Sequence, residues 1–260
     1  MPSIDVNGTT LAYKDTGGPG PAVVFSHSLF FDRTMFAEQV ERFGRAFRVV
    51  TYDHRGQGKS RRSAGLDMDT LAADAAALVE ALDLGPCHFV GNSMGGFVAL
   101  RLAARRPELL RSAAVLSTSA DEEGQLENFQ ALLDHARAVG VKKTVDALMH
   151  IMFGETTLTS RPALRDHWRA RFGKLDPAIL DAADAVVHRK AVLGELVGAT
   201  VPLLVLSGVE DNAYGPELSQ RIADTAANAT HVRVNDAGHS LAVERPDLVN
   251  DHLADHFAAT

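Results

Sequence analysis

The stretch Cys87-His88-Phe89-Val90-Gly91-Asn92-Ser93-Met94-Gly95 decides how the rest of the chain is read. A short apolar run, Cys87 to Val90, enters Gly91-Asn92-Ser93-Met94-Gly95, and Phe97 to Ala104 continues as a helix. Gly-x-Ser-x-Gly between a strand and a helix predicts a nucleophile elbow, a turn so tight that glycines must flank the serine. Such a turn lifts the Ser93 hydroxyl above the sheet edge and points the Met94 N–H toward a reacting oxygen. In a chain with 21 glycines the pentapeptide alone is a modest signal. The flanking strand and helix make it specific.

Outward from the elbow, buried-strand runs alternate with helical ones. Ile4-Asp5-Val6, Asn7-Gly8 and Thr9 to Tyr13 predict a hairpin, because Asn-Gly suits a two-residue turn with positive φ. Ala22 to Phe25 predicts a strand and Arg33 to Phe43 a helix; Arg48 to Tyr52 predicts a strand and Met68 to about Leu82 a helix. Ala113 to Leu116 predicts the strand after the elbow helix, and Val201 to Leu206 and His231 to Val234 two more. Short Val- and Leu-rich runs separated by helices indicate an α/β fold, a mostly parallel sheet with helices on both faces. From Asp121 to about Lys190 the pattern is helical without a strand. The expectation is a core of residues 1–120 and 191–260 with an all-helical lid, 121–190, inserted between consecutive strands.

A serine hydroxyl needs a base to take its proton during attack. In this topology the acid partner and then the base follow the serine in chain order. Leu203 to Leu206 runs into Ser207-Gly208-Val209-Glu210-Asp211, which sets Asp211 in the loop after that strand. Val232 to Val234 runs into Asn235-Asp236-Ala237-Gly238-His239-Ser240, which sets His239 in the loop after the last strand. His239 is the candidate base and Asp211 the group that orients it, with Glu210 and Asp121 as competing carboxylates. An oxyanion hole needs two aimed N–H donors. Met94 supplies one; Leu29, in the loop Ser26-His27-Ser28-Leu29, is the candidate for the other.

The composition is that of an ordinary globular chain: 260 residues, 46% hydrophobic and 23% charged. A formal charge of −7 argues against nucleic acid or an anionic membrane as partner, since both reward a basic field. A single cysteine, Cys87, cannot form an internal disulfide. The first residues lack a signal peptide's basic head and apolar core, and no apolar run is long enough to span a membrane. A cytoplasmic location is the expectation. No metal-ligand spacing is present, so His27 and His54 read as structural hydrogen bonders, and neither metal nor cofactor is expected. In the lid, Arg161, Arg165 and Arg169 recur at helical spacing near the lone Trp168. They could grip a substrate carboxylate or simply face water.

With these residues in place the chain resembles the α/β-hydrolase fold enzymes. The resemblance rests on Ser26 to Leu29, Asp53-His54-Arg55-Gly56-Gln57-Gly58-Lys59-Ser60, Gly91 to Gly96, Gly208 to Asp211 and Gly238-His239-Ser240. The Asp53-to-Ser60 stretch resembles a family turn without catalytic duty. One departure is His27-Ser28 where His-Gly is usual, and there the chain is similar to the 3-oxoadipate enol-lactonases. The resemblance implies a serine hydrolase acting on a small ester or lactone. Candidate substrate contacts are then His27, Ser28, Trp168 and Arg165. Carbon–carbon bond hydrolysis of ring-cleavage products, cofactor-free perhydrolysis and ligand binding without catalysis are the alternatives. Ser240 stands where the carbon–carbon hydrolases commonly carry tryptophan. Oligomeric state has no signature in the sequence.

Overall fold

A computed structural model describes residues 2–62 and 65–260. Among the described residues eight strands form one sheet: β1 Ser3–Val6, β2 Thr9–Asp15, β3 Ala22–Ser26, β4 Arg48–Tyr52, β5 Cys87–Asn92, β6 Leu110–Leu116, β7 Leu203–Gly208 and β8 Ala229–Val234. Their spatial order is β1-β2-β4-β3-β5-β6-β7-β8. β1 and β2 pair antiparallel across a turn in which Asn7 and Gly8 both take positive φ, and β2 pairs antiparallel with β4. Every pairing from β4 to β8 is parallel. Val23, Val24, Phe25, Val50, Phe89 and Val90 are buried whichever face they point to. That is why the central strands read as unbroken apolar runs rather than alternating ones.

The helices are α1 Ala37–Phe43, α2 Met68–Ala81, α3 Met94–Arg105, α4 Leu126–Val139, α5 Val145–Met152, α6 Glu155–Ser160, α7 Pro162–Phe172, α8 Ile179–Val187, α9 Pro216–Thr225, α10 Leu241–Glu244 and α11 Pro246–Ala259. α2 packs on α3, and α1 packs on α11. Chain order reverses at β3: β4 lies on one side of it, and β5 to β8 run away on the other. Ligands of open α/β sheets bind outside the carboxyl ends of the strands at such a reversal. Here those ends are Ser26 and Asn92, which lead into the loop at Leu29 and the turn at Ser93.

Four boundaries differ from the sequence expectation. Arg33–Phe36 is a 3-10 turn capped by Asp32, and the α-helix starts only at Ala37. β6 starts at Leu110, earlier than its apolar run, because the pairing with β5 extends to Cys87. β7 starts at Leu203, after Pro202, whose ring removes the N–H that a ladder needs. β8 reaches back to Ala229 by pairing with β7. Between β6 and β7 the described residues form α4 to α8 and short 3-10 turns, with no strand. No helix among the described residues is long and apolar enough to cross a membrane.

His88 is buried on β5, with Nδ1 against the Ser112 hydroxyl at 2.8 Å. Burial, helped by Arg111 and His256, pushes its pKa down to about 4. In the unfolded chain an imidazole titrates near about 6.5. Between those values the unfolded state binds the extra proton, so stability falls as pH drops through this window. His88→Gln is expected to flatten the dependence of the urea midpoint on pH between about 4 and 6.5. Parallel midpoint curves for the two proteins would remove His88 from the acid response.

Candidate active site

Ser93 sits between β5 and α3 with φ of 52° and ψ of −111°, a backbone that non-glycine residues rarely hold. The surroundings impose it. A Cβ on Gly91 would strike the Gly95 carbonyl, and one on Gly95 would strike the Ser26 carbonyl of β3. The Ser93 N–H donates to the Leu116 carbonyl at 2.8 Å, and the Thr118 hydroxyl donates to the Ser93 carbonyl at 3.1 Å. Met94 begins α3, where backbone N–H groups have no acceptor within the helix. Across the reversal, the loop after β3 holds Leu29, followed by Phe30 with φ of 69°.

His239 and Asp211 meet at the far side. The Asp211 carboxylate lies 3.0 and 3.1 Å from His239 Nδ1 and accepts the N–H groups of Ala213 at 2.8 Å and Tyr214 at 2.9 Å. Both side chains are buried. With a carboxylate facing it, Nδ1 carries the hydrogen, and Nε2 keeps its lone pair. The Asn92 amide donates to the His239 carbonyl at 2.9 Å and ties the histidine loop to the elbow strand. The competing carboxylates go elsewhere. Glu210 accepts the Thr156 N–H and hydroxyl, whereas Asp121 pairs with Arg221.

A buried carboxylate that the sequence did not flag secures the same loop. Glu244 accepts the N–H groups of Gly154 at 2.8 Å, Ser240 at 2.9 Å and Gly238 at 3.1 Å. Burial pushes its carboxyl up, against the pull of those N–H donors. Arg161 donates to the Glu244 carbonyl, and the Ser240 hydroxyl donates to the Met152 carbonyl at 2.6 Å. The helical insertion is thus held against the loops carrying Asp211 and His239 by Glu210 and Glu244. Its Gly154 lies so near Gly238 that neither position has room for a Cβ.

Leu29, Ser93 and His239 open onto one cavity of about 660 Å³, counting its solvent-open part. Most of the remaining wall comes from the insertion: Leu132, Leu133 and Ala136 of α4, Met152 of α5, and Ala183 and Val186 of α8. Met152, buried at the end of α5, is part of this wall. Tyr214 also lines it; its ring stands edge-on to His239, with centroids 5.4 Å apart. The Tyr214 hydroxyl is fixed by Glu123 at 2.9 Å, which in turn pairs with Arg189 at 2.7 Å. The apolar spacing within α4 and α8 was the available signal for the wall. Glu244 had none.

The four residues expected at the substrate lie off this wall. His27 is buried behind it, with Nδ1 donating to the Ser28 carbonyl and Nε2 accepting the His54 N–H at 3.1 Å. Burial keeps it and His54 neutral by lowering both pKa values. The Ser28 hydroxyl is buried with no hydrogen-bond partner among the described residues. Trp168 packs on Phe31, ring centroids 4.5 Å apart, beneath the Arg171 guanidinium, and so anchors α7. Arg165 pairs with Asp166 at the surface. Among the described residues, no cluster of His, Cys, Asp and Glu could hold a metal ion.

Glu244→Ala would leave three buried N–H groups without an acceptor, and each such group costs about 1–3 kcal/mol. The expected outcome in urea unfolding is a loss of about 3 kcal/mol or more, with turnover reduced as the His239 loop loosens. A variant as stable as wild type would show that water takes over these bonds.

A family profile described as alpha/beta hydrolase fold matches residues 21–246. The enol-lactonase of Burkholderia xenovorans LB400 superposes with a TM-score of 0.91 at 31% identity, covering 99% of this chain and 100% of that one. A thermophilic esterase of Thermogutta terrifontis superposes with a TM-score of 0.91 at 27% identity, covering 100% and 99%. A non-heme chloroperoxidase of Streptomyces lividans is 30% identical over 269 residues, covering 95% of each sequence. The elbow, the reversal at β3 and the order serine, aspartate, histidine thus accompany a match over most of the chain, which belongs to the α/β-hydrolase fold family.

Proposed function

We propose that the protein is a serine hydrolase that cleaves a small carboxylic ester or lactone through an acyl-enzyme on Ser93. The observation that carries this reading is the shared cavity. Ser93 and His239 both open onto it, and His239 has its other nitrogen already committed to Asp211. The relatives named an enol-lactonase and an esterase support it.

In the first half-reaction, Ser93 Oγ attacks the substrate carbonyl carbon while His239 Nε2 takes the hydroxyl proton. Asp211 stabilises the imidazolium. The backbone N–H groups of Leu29 and Met94 hold the oxyanion, each at a stake of about 2.7–4 kcal/mol in the transition state. Collapse breaks the carbonyl–alkoxy bond, and the alkoxide leaves with the proton from His239. A lactone keeps this alcohol tethered to the acyl group. Water then attacks the acyl-enzyme, gives a proton to His239 and releases the carboxylic acid, restoring Ser93. The helical insertion serves as the lid over this chemistry. A second reading follows from the relative named a non-heme chloroperoxidase. Hydrogen peroxide would replace water in deacylation and release a peracid.

Fluorophosphonate labelling of wild type and Ser93→Ala tests the nucleophile. Ser93→Ala is expected to retain its fold, lose labelling and lose about 10⁴-fold or more in ester turnover. Wild-type rates in that variant would remove Ser93 from the mechanism. His239→Gln is expected to retain its fold and lose about 10⁴-fold or more in ester turnover, because no group then takes the Ser93 proton. Wild-type turnover in the histidine variant would eliminate His239 as the base. Peroxide-dependent halogenation in the presence of a carboxylic acid would favour the second reading.

A further inference from the structure

We infer that the cavity takes a neutral acyl chain of medium length, laid between α4 and α8, and rejects acyl groups ending in a carboxylate. This rests on Ser93 being the nucleophile. Beyond Ser93 and His239 the wall is almost wholly hydrocarbon, and its two other polar side chains are already engaged. The Thr144 hydroxyl donates to the Val141 carbonyl at 2.9 Å, and the Tyr214 hydroxyl donates to Glu123. Neither offers a donor that an acyl chain would have to satisfy.

Among the described residues no lysine or arginine lines the cavity either. Arg189 reaches the lining residue Tyr214 from behind the wall, but it is buried there, and its guanidinium meets Glu123, the Val186 and Asp121 carbonyls and the Tyr214 hydroxyl. Its charge is compensated within the fold. The insertion's other arginines are engaged elsewhere. Arg137 pairs with Asp184, Arg165 with Asp166, Arg169 with Asp146 and Arg171 with Asp32, while Arg161 donates to the Glu244 carbonyl. A carboxylate drawn into this cavity would lose its water and find no partner, which an ion pays for heavily. A methylene chain loses nothing of the kind and gains with each group buried.

The shape of the wall sets where the chain lies. α4 and α8 pack against each other, with Leu133 and Ala136 on one and Ala183 and Val186 on the other lining the same cavity. The small side chains Ala136 and Ala183 leave the room between these helices. Filling that room shortens the chain that fits.

The test is a series of 4-nitrophenyl esters, acetate, butyrate, hexanoate, octanoate and decanoate, together with the 4-nitrophenyl half-ester of adipic acid. kcat/KM is expected to rise by about fourfold per methylene while the chain is still entering the cavity, with the optimum at hexanoate or beyond. The adipate half-ester, of the same chain length as hexanoate but charged, is expected about a hundredfold below it, and any deficit of tenfold or more supports the assignment. Ala183→Phe and Ala136→Phe, each checked for folding by circular dichroism, are expected to lower the octanoate-to-acetate ratio at least tenfold. An optimum at acetate or butyrate, a half-ester deficit under tenfold, or an unchanged ratio in both folded variants would overturn the assignment. Acetate turnover and phosphonate labelling of Ser93 keep the two levels apart. Their absence in wild type overturns the nucleophile and the acyl-chain assignment together. Acetate turnover without a rise along the series overturns the acyl-chain assignment alone.

Discussion

The contact between the Gly95 backbone and the Ser26 carbonyl fixes the geometry on which the rest of the structure depends. It brings the start of α3 against the end of β3, so the chain leaving β5 must reverse within one residue. Ser93 absorbs that reversal in its left-handed backbone, a conformation that costs on the order of 1–3 kcal/mol. The same pattern recurs along this edge. Phe30, Ser93, Ser117 and Asp236 hold positive φ in the loops or turns after β3, β5, β6 and β8. Apart from a register shift between Cys87 and His88, the parallel ladder is regular, and the strain gathers where it ends.

Strained loops need anchors, and here these are mostly carboxylates facing backbone N–H groups. Asp53 accepts the N–H groups of Arg33 and Lys59, which pins the chain leaving the Leu29 loop to the turn after β4. Asp211 takes two N–H groups besides its histidine, and Glu244 takes three. Such bonds to an ionised acceptor are shorter and stronger than neutral ones. They make adjacent residues divide their work: Glu210 holds the insertion, and Asp211 orients His239.

Much of this was readable from the chain. The apolar runs gave the parallel strands because both faces of the sheet are covered, and the Gly91-to-Gly95 spacing located the turn because sterics leave no other residue room there. The order Ser93, Asp211, His239 was readable because each lies just after a strand. The cavity wall was not. It depends on how α4, α5 and α8 lean together, which periodicity within one helix cannot report. Glu244 was invisible for a different reason: its partners are main-chain N–H groups, which every residue carries. Arg165 and Trp168 have the chemistry of ligand contacts, yet one faces Asp166 at the surface and the other rests on Phe31.

The proposed chemistry and its container occupy separate stretches of chain. Ser93, Asp211 and His239 follow β5, β7 and β8, whereas most of the cavity wall comes from the segment between β6 and β7. That segment meets the loops carrying Asp211 and His239 through main-chain atoms, Glu210, Glu244 and the Glu123–Arg189 pair on Tyr214, and apart from Tyr214 these side chains do not face the cavity. Substitutions there can reshape the space offered to a substrate while the reacting groups stay in register. Selection can therefore alter what the molecule accepts without first having to rebuild how it reacts.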